Sequence, residues 1–279
     1  MSLRSYTRRA SVSGALFALC TLLPAPRPVP ALATDTPLPQ DCPPRHIDER
    51  VKVSYVYDGD TVKLSDGRRV RFIGINAPEM GHHEILTQPY AEAARSSLLE
   101  VLEASGNILS LQYDRELKDH YGRILAHAYI GDDENVAALL LRQGHATTLV
   151  VPPNTSAADC YRQIEYEARS AGRGIWKLGA YQVRAAESLQ GETRGFHIVR
   201  GRITGIERTK HQVRIALQGM LVARISNNDL AYFEPDYLEK LVDRTVELRG
   251  WIKPERGGLG VRVRHPAALV LVGESPGRE

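Results

Sequence analysis

Apolar and polar positions alternate with a period of two along much of the chain, in short runs separated by turn residues. Val51, Val53, Tyr55 and Tyr57 fall on one face of a predicted strand, with polar residues mostly between them. Thr61–Leu64 and Arg69–Ile75 follow as strands two and three. Asp66-Gly67 between them is a hairpin signal, because Gly adopts positive φ without steric cost and Asp can bond its own backbone. Pro89 is placed to open a helix that continues from Tyr90 to Leu102 through a segment rich in Ala, Glu and Leu. Ile108–Tyr113 and Ile124–Ile130 read as two further strands.

The order β-β-β-α-β-β is that of the five-stranded OB-fold barrel. Two more helices are expected behind it. Asn135 can cap the run Val136–Gln143 and Gly144 can end it in the left-handed region. Ser156, with Asp159 three residues on, resembles a capping box for a helix reaching about Ala171. Gly172, Gly174, Ile175 and Trp176 close this unit, with Trp176 expected as a core anchor. Residues 178–194 are mixed and polar, and read as a linker.

The same rhythm then recurs. Ile198–Ile206, Gln212–Gln218 and Leu221–Ile225 read as strands, Glu234–Val242 as a short helix opened near Pro235, and Thr245–Ile252 as a fourth strand. Either Val261–Arg264 or a strand closer to Leu269–Val272 completes the set. The expected fold class is therefore α+β, a β-barrel with helices: an OB-fold domain over residues 51–177, then a second, smaller OB-like β-barrel over 195–273. The halves share a pattern, not an evident sequence identity.

Composition changes this picture at the ends. Arg4, Arg8 and Arg9, the apolar run Val12 to Leu23 and Ala31-Leu32-Ala33 have the layout of a secretory signal peptide over 1–33. The run is shorter than the ~20 residues a bilayer span needs. The chain is thus expected to be exported, periplasmic or secreted, with no stable membrane anchor. Residues 34–50, with Pro37, Pro39, Pro43 and Pro44, read as an extended tail. Without the leader the chain carries 32 bases and 33 acids. Residues 34–193 hold 17 bases against 23 acids, whereas 194–279 hold 15 against 10. This asymmetry suggests that the second half helps to hold a polyanion, although a solvated surface gives the same counts. Cys42 and Cys160 remain after cleavage. They suit a disulfide in an exported protein, or a buried free thiol, since Cys160 shares an apolar helical stripe with Ile164 and Ala168.

The candidate chemistry lies in three motifs: Asp58-Gly59-Asp60-Thr61; Arg71 with the loop Asn76-Ala77-Pro78-Glu79; and Asp119-His120-Tyr121-Gly122-Arg123. A hairpin returns its second strand beside the first, so Asp60 and the 76–79 loop can converge. Acids gathered near arginine suit a divalent cation and a phosphate together. Taken singly each motif is bland: Asp-Gly-Asp is most often a turn, Arg71 and Arg123 strand surface charges, and Glu79 loop solvation. His82-His83 has no third ligand at metal spacing and reads as loop.

In this order and spacing the motifs resemble the staphylococcal nuclease (thermonuclease) family, from about Val51 to Trp176, which is less than half the chain. The resemblance implies Ca2+-dependent endonucleolytic cleavage of DNA and RNA. It assigns Arg71 and Arg123 as catalytic arginines, Glu79 as the base that activates water, and Asp60, Asn76 and the carbonyl of Ala77 as calcium ligands. Asp119, His120 and Tyr121 would position the substrate phosphate and Arg123. This chain departs from the family in having Asn76 where an aspartate is usual, Ala77 for a threonine, His120 for a lysine, and Val150 and Pro152 for tyrosines of the base pocket. The competing reading is a catalytically lapsed module that binds nucleic acid or protein. No obligate protein partner is evident.

Overall fold

A computed structural model describes residues 42–81, 86–131 and 133–273 of the chain. The expected signal peptide over 1–33, residues 34–41 of the expected tail and His82-His83 lie outside the described residues.

The first half contains β1 (Glu49–Val56), β2 (Thr61–Leu64), β3 (Arg69–Phe72), β4 (Gly74–Asn76), α1 (Ala91–Ala104), β5 (Ile108–Lys118), β6 (Ile124–Ile130), β7 (Glu134–Asn135), α2 (Val136–Gln143), β8 (Thr147–Leu149) and α3 (Ala158–Ser170). Strands pair in the order β3-β2-β1-β5-β6, and β3 closes the barrel by pairing parallel to β6, Val70 opposite Ile124. The alternation in the sequence decides which side faces in: Val51, Val53, Val62, Leu64, Val70 and Phe72 are buried in one core with Leu98 and Leu102 of α1.

The expected single strand Arg69–Ile75 is divided, because Gly74 sits at φ 85° and a Cβ there would lie 2.4 Å from the Tyr161 ring. The chain turns off the barrel at that point, and β4 pairs with β8 instead. β5 runs on to Lys118, beyond the expected end at Tyr113, across an irregularity in its pairing with β6. Asn135 caps α2 by accepting from the Ala138 amide at 3.0 Å, and Gly144 ends it at φ 72°. Pro89 does not open α1, since Tyr90 stands between them in the left-handed region. Ser156 does not cap α3, because its Oγ lies 3.1 Å from Nε2 of the buried His127.

The second half holds β9 (Val183–Ala185), β10 (Gly195–Arg208), β11 (Gln212–Leu217), β12 (Leu221–Ser226), β13 (Thr245–Glu255), β14 (Gly258–Arg262) and β15 (Leu269–Leu271). β13, β14, β12, β11 and β10 pair in that order and β10 returns to β13, with β12 and β14 parallel. This repeats the connectivity of the first barrel. Both candidates for the last strand exist: β14 closes the barrel and β15 adds to β13 at the edge.

The helix expected over Glu234–Val242 is not an α-helix. Tyr237 donates to the Glu234 carbonyl and Leu241 to that of Leu238, three residues back in each case, and only Glu239–Leu241 forms a 3-10 turn. This tighter winding places Leu238 and Leu241 against the barrel core. Residues 178–194 are not a plain linker either: β9 pairs parallel to β10, and Ala186 and Leu189 are buried in the second core.

Several contacts join the barrels. Ala168, Ile175 and Trp176 share a buried cluster with Ile198 of β10. Arg169 of α3 makes a two-pronged pair with Glu247 at 2.5 and 2.9 Å. Arg249 donates to Glu165 at 2.5 Å. Cys42 and Cys160 form a disulfide, so the free-thiol alternative falls.

Candidate active site

Asp58-Gly59 makes the turn that the sequence announces, with the Asp60 amide donating to Asp58 Oδ1 at 2.9 Å. Gly59 also makes room, since a Cβ there would meet those of Ala77 and Ala94 at 2.8 Å. The 76–79 loop and α1 can therefore close over the turn. Asp60 is fully buried beneath them. Its Oδ2 accepts from the Ala77 amide at 2.6 Å and pairs with Arg71 Nη2 at 3.1 Å, while Oδ1 accepts from the Thr61 hydroxyl at 2.9 Å. The hairpin register, Thr61 opposite Arg71, brings this pair together. Arg71 is steadied further by donating to the Phe72 carbonyl at 2.6 Å.

Burial dominates the electrostatics. It pushes the Asp60 carboxyl up to about 7, against the pull of Arg71. It also raises Asp58, and the neighbouring charge of Glu79 adds to that rise. Asp60 thus holds a proton in the folded chain that the unfolded chain has released, so stability falls as pH rises from ordinary carboxylate values toward 7. In chelator, the urea midpoint should decline between pH 4.5 and 7. Asp60→Asn should flatten that decline by an amount on the order of a few kcal/mol in total. An unchanged slope in the variant would assign it to other groups.

Asp119 closes the tip before β6. Its Oδ1 accepts from the amides of Tyr121 and Arg123, both at 2.9 Å, and Oδ2 from Arg123 Nε at 2.7 Å. Burial opposes its charge, but these bonds from Arg123 and Tyr121 outweigh it and hold the carboxyl below its ordinary value. Tyr121 is exposed, with the Arg123 guanidinium 5.4 Å from its ring centroid and the His120 ring centroid at 3.8 Å.

Arg71, Asp119, His120 and Arg123 line one groove of about 450 Å³, together with Pro152 and Arg264. Glu79 is not part of this lining. It is exposed on the acid side of the turn, its amide donating to Gln88 Oε1 at 3.1 Å and its carbonyl accepting from the Gln88 amide at 3.0 Å. Asn76 ends β4, half-buried, with its carbonyl accepting from the Thr147 hydroxyl at 3.3 Å. Among the described residues no three His, Cys, Asp or Glu side chains group as metal ligands. Of the expected calcium ligands, Asp60 is fully buried with both carboxyl oxygens engaged, by the Ala77 amide, Arg71 and the Thr61 hydroxyl. A hard cation bound here would favour the ionised forms of Asp58 and Asp60, which burial otherwise disfavours.

Sequence reasoning passed over two contributors. Arg69 reaches the Tyr121 carbonyl at 3.3 Å and ties the third motif to the hairpin. Arg264 comes from the second barrel, which carried no recognisable motif.

A family model described as staphylococcal nuclease homologue matches residues 69–178. The chain is 36% identical over 132 residues to the thermonuclease of Staphylococcus intermedius, a match covering 46% of this chain and 77% of that protein. It is 35% identical over 136 residues to endonuclease YncB of Bacillus subtilis, covering 47% of this chain and 63% of that one. With the thermonuclease of Staphylococcus hyicus it shares 30% identity over 132 residues, 46% of this chain and 76% of the relative. The relatives match about half of this chain, and the stretch matched by the family model holds Arg71 and Arg123. The chain belongs to the staphylococcal nuclease family.

Proposed function

We propose that this protein is an exported endonuclease that hydrolyses phosphodiester bonds of DNA and RNA with the assistance of Ca2+. The observation that carries the reading is the shared groove: Arg71, tied to the buried Asp60, and Arg123, tied to Asp119, line the same cavity. A planar guanidinium can bond two phosphate oxygens at once and does not lose its charge. Two of them can take up the charge that develops on the equatorial oxygens as phosphorus is attacked. Glu79, exposed and free to meet water, is the residue to accept the proton of the attacking water. The bond to the 5′-oxygen breaks and a 3′-phosphate remains. Asp119 acts by fixing Arg123, and Tyr121 and His120 flank the phosphate.

Asp60, Asn76 and the Ala77 carbonyl would hold the cation, an all-oxygen set that fits Ca2+. When bound, the cation supplies further neutralisation of the phosphate charge. Asn76 contributes no charge, so a lower affinity than an all-carboxylate set is expected. Export is supported by the leader-like first 33 residues and by the disulfide, which persists in oxidising compartments. No helix among the described residues is long and apolar enough to cross a membrane.

The lapsed-module reading draws on one observation: among the described residues no three His, Cys, Asp or Glu side chains group as metal ligands. Incubating the mature protein with single-stranded DNA, with Ca2+ and then with a chelator, separates the two. Cleavage with Ca2+ alone is expected, and undiminished DNA in both reactions would favour the binding module.

A further inference from the structure

The second barrel supplies a wall of the candidate groove. Val261 and Val263 point into its core while Arg262 and Arg264 point out, so both arginines share one face. Asp229, buried in the 3-10 turn that follows β12, holds them, accepting from Ser226 Oγ at 2.7 Å, Arg262 Nη2 at 2.9 Å and Arg264 Nε at 3.3 Å. Burial opposes the Asp229 charge, but these bonds outweigh it and keep the carboxyl below its ordinary value. Arg264 Nη2 also donates to the Pro152 carbonyl at 2.9 Å, across to the first barrel. A guanidinium has five N–H donors. One goes to Asp229 and one to Pro152, and no other described residue takes the remaining three. The Arg264 side chain is 34% exposed, and the residue lines the groove with Arg71 and Arg123.

The strands behind it extend this feature. Arg214 lies opposite Arg224, and Arg224 opposite Arg262, so three arginines form a lateral row across β11, β12 and β14. Strands two and three of an OB-fold are the face on which oligonucleotides are commonly bound. The row is tempered by Glu207 on Arg214, Glu255 on Arg224 and Asp229 on Arg262. Of these four arginines Arg264, two residues beyond Arg262 on the same face, is the one that lines the groove.

We infer that Arg264 is a substrate-positioning residue: its guanidinium binds a backbone phosphate flanking the scissile one, so that the second barrel completes the nucleic-acid site of the first. This rests on the nuclease reading for the identity of the substrate. The role is one of grip rather than chemistry, since the residue sits beyond the Asp60–Arg71 pair on another domain.

The test uses the mature full-length chain, with Arg264→Gln and Arg264→Lys. Binding of a fluorescein-labelled 20-nucleotide single strand is followed by anisotropy in chelator over a salt series, and cleavage is followed with Ca2+. Gln retains a donor for the Pro152 carbonyl but loses the charge, and Arg262 still pairs with Asp229. Arg264→Gln should weaken binding about tenfold at low salt and reduce the slope of log K against log salt by about 0.7. Its KM should rise with kcat held within about twofold, whereas Arg264→Lys should restore the salt slope. A Gln variant with the parent's slope and KM would overturn the inference while leaving the nuclease reading intact. If the parent cleaves nothing yet shows the Arg264-dependent slope, the nuclease reading falls and this inference stands. Equal losses in the Lys and Gln variants would also overturn it, by assigning Arg264 to holding the Pro152 loop.

Discussion

Glu79→Gln should lower kcat by about 100- to 10,000-fold, the range general-base groups contribute, with KM and thermal midpoint nearly unchanged. The structure explains why this variant isolates chemistry from folding. Both bonds that fix the position of Glu79 use its backbone, to the Gln88 side chain and amide, and neither depends on the carboxylate. The exposed side chain fills no space that Gln would not also fill. Removing its charge should even ease Asp58, whose carboxyl Glu79 helps to push upward. A substitution at Arg71 would be harder to interpret. Arg71 is the cation paired with the fully buried Asp60, so its loss combines missing transition-state stabilisation with an unpaired buried acid. Single-turnover rates and oligonucleotide affinity, measured on the same Glu79→Gln preparation, check the prediction. Normal turnover with a large loss of binding would show that Glu79 grips substrate instead.

The second large effect concerns stability. Cys42 and Cys160 are 118 residues apart in sequence and joined by a disulfide, so nearly the whole first barrel lies within the loop. In the chain-entropy account, closing a loop of this length stabilises the folded state by about 5 kcal/mol relative to the open chain. For a unit of this size, about 2–4 °C per kcal/mol translates that figure into a lowering of the thermal midpoint by roughly 10–20 °C. Cys160→Ser, or reduction of the parent, should show this shift in a thermal scan with little change in kcat at 25 °C, because neither cysteine touches the groove. A shift below about 2 °C would mean that the unfolded chain is already constrained in some other way.

What the sequence disclosed and what it hid divide along a physical line. Features set by neighbours in the chain were legible. The Asp58-Gly59 turn, the capping of α2 by Asn135 and its end at Gly144 all rest on contacts within a few residues. Strand alternation likewise named the interiors of both barrels. Features decided by distant partners were not legible. Gly74 interrupts a run of apolar residues only because the Tyr161 ring occupies the space beside it. Ser156 has the right neighbours for a cap, but its hydroxyl meets His127. Residues 183–185 read as linker because nothing local shows that β10 has an edge for them. The site follows the same rule. Asp60, Arg71, Asp119 and Arg123 sit in motifs whose geometry is mostly local or spans one hairpin, whereas Arg264 reaches the groove only through the packing of one barrel on the other.

That packing also limits how the molecule can be divided. Glu165, on the last helix of the first barrel, is buried with Arg249 of the second as its counterion, and Trp176 is covered from the same side by Ile198. A recombinant fragment ending before residue 195 would leave Glu165 without its counterion and Trp176 without the cover of Ile198, and would report on that exposed scar as much as on catalysis. Excision is therefore a poor way to assign roles to the two halves, and point substitution across the seam is the better instrument.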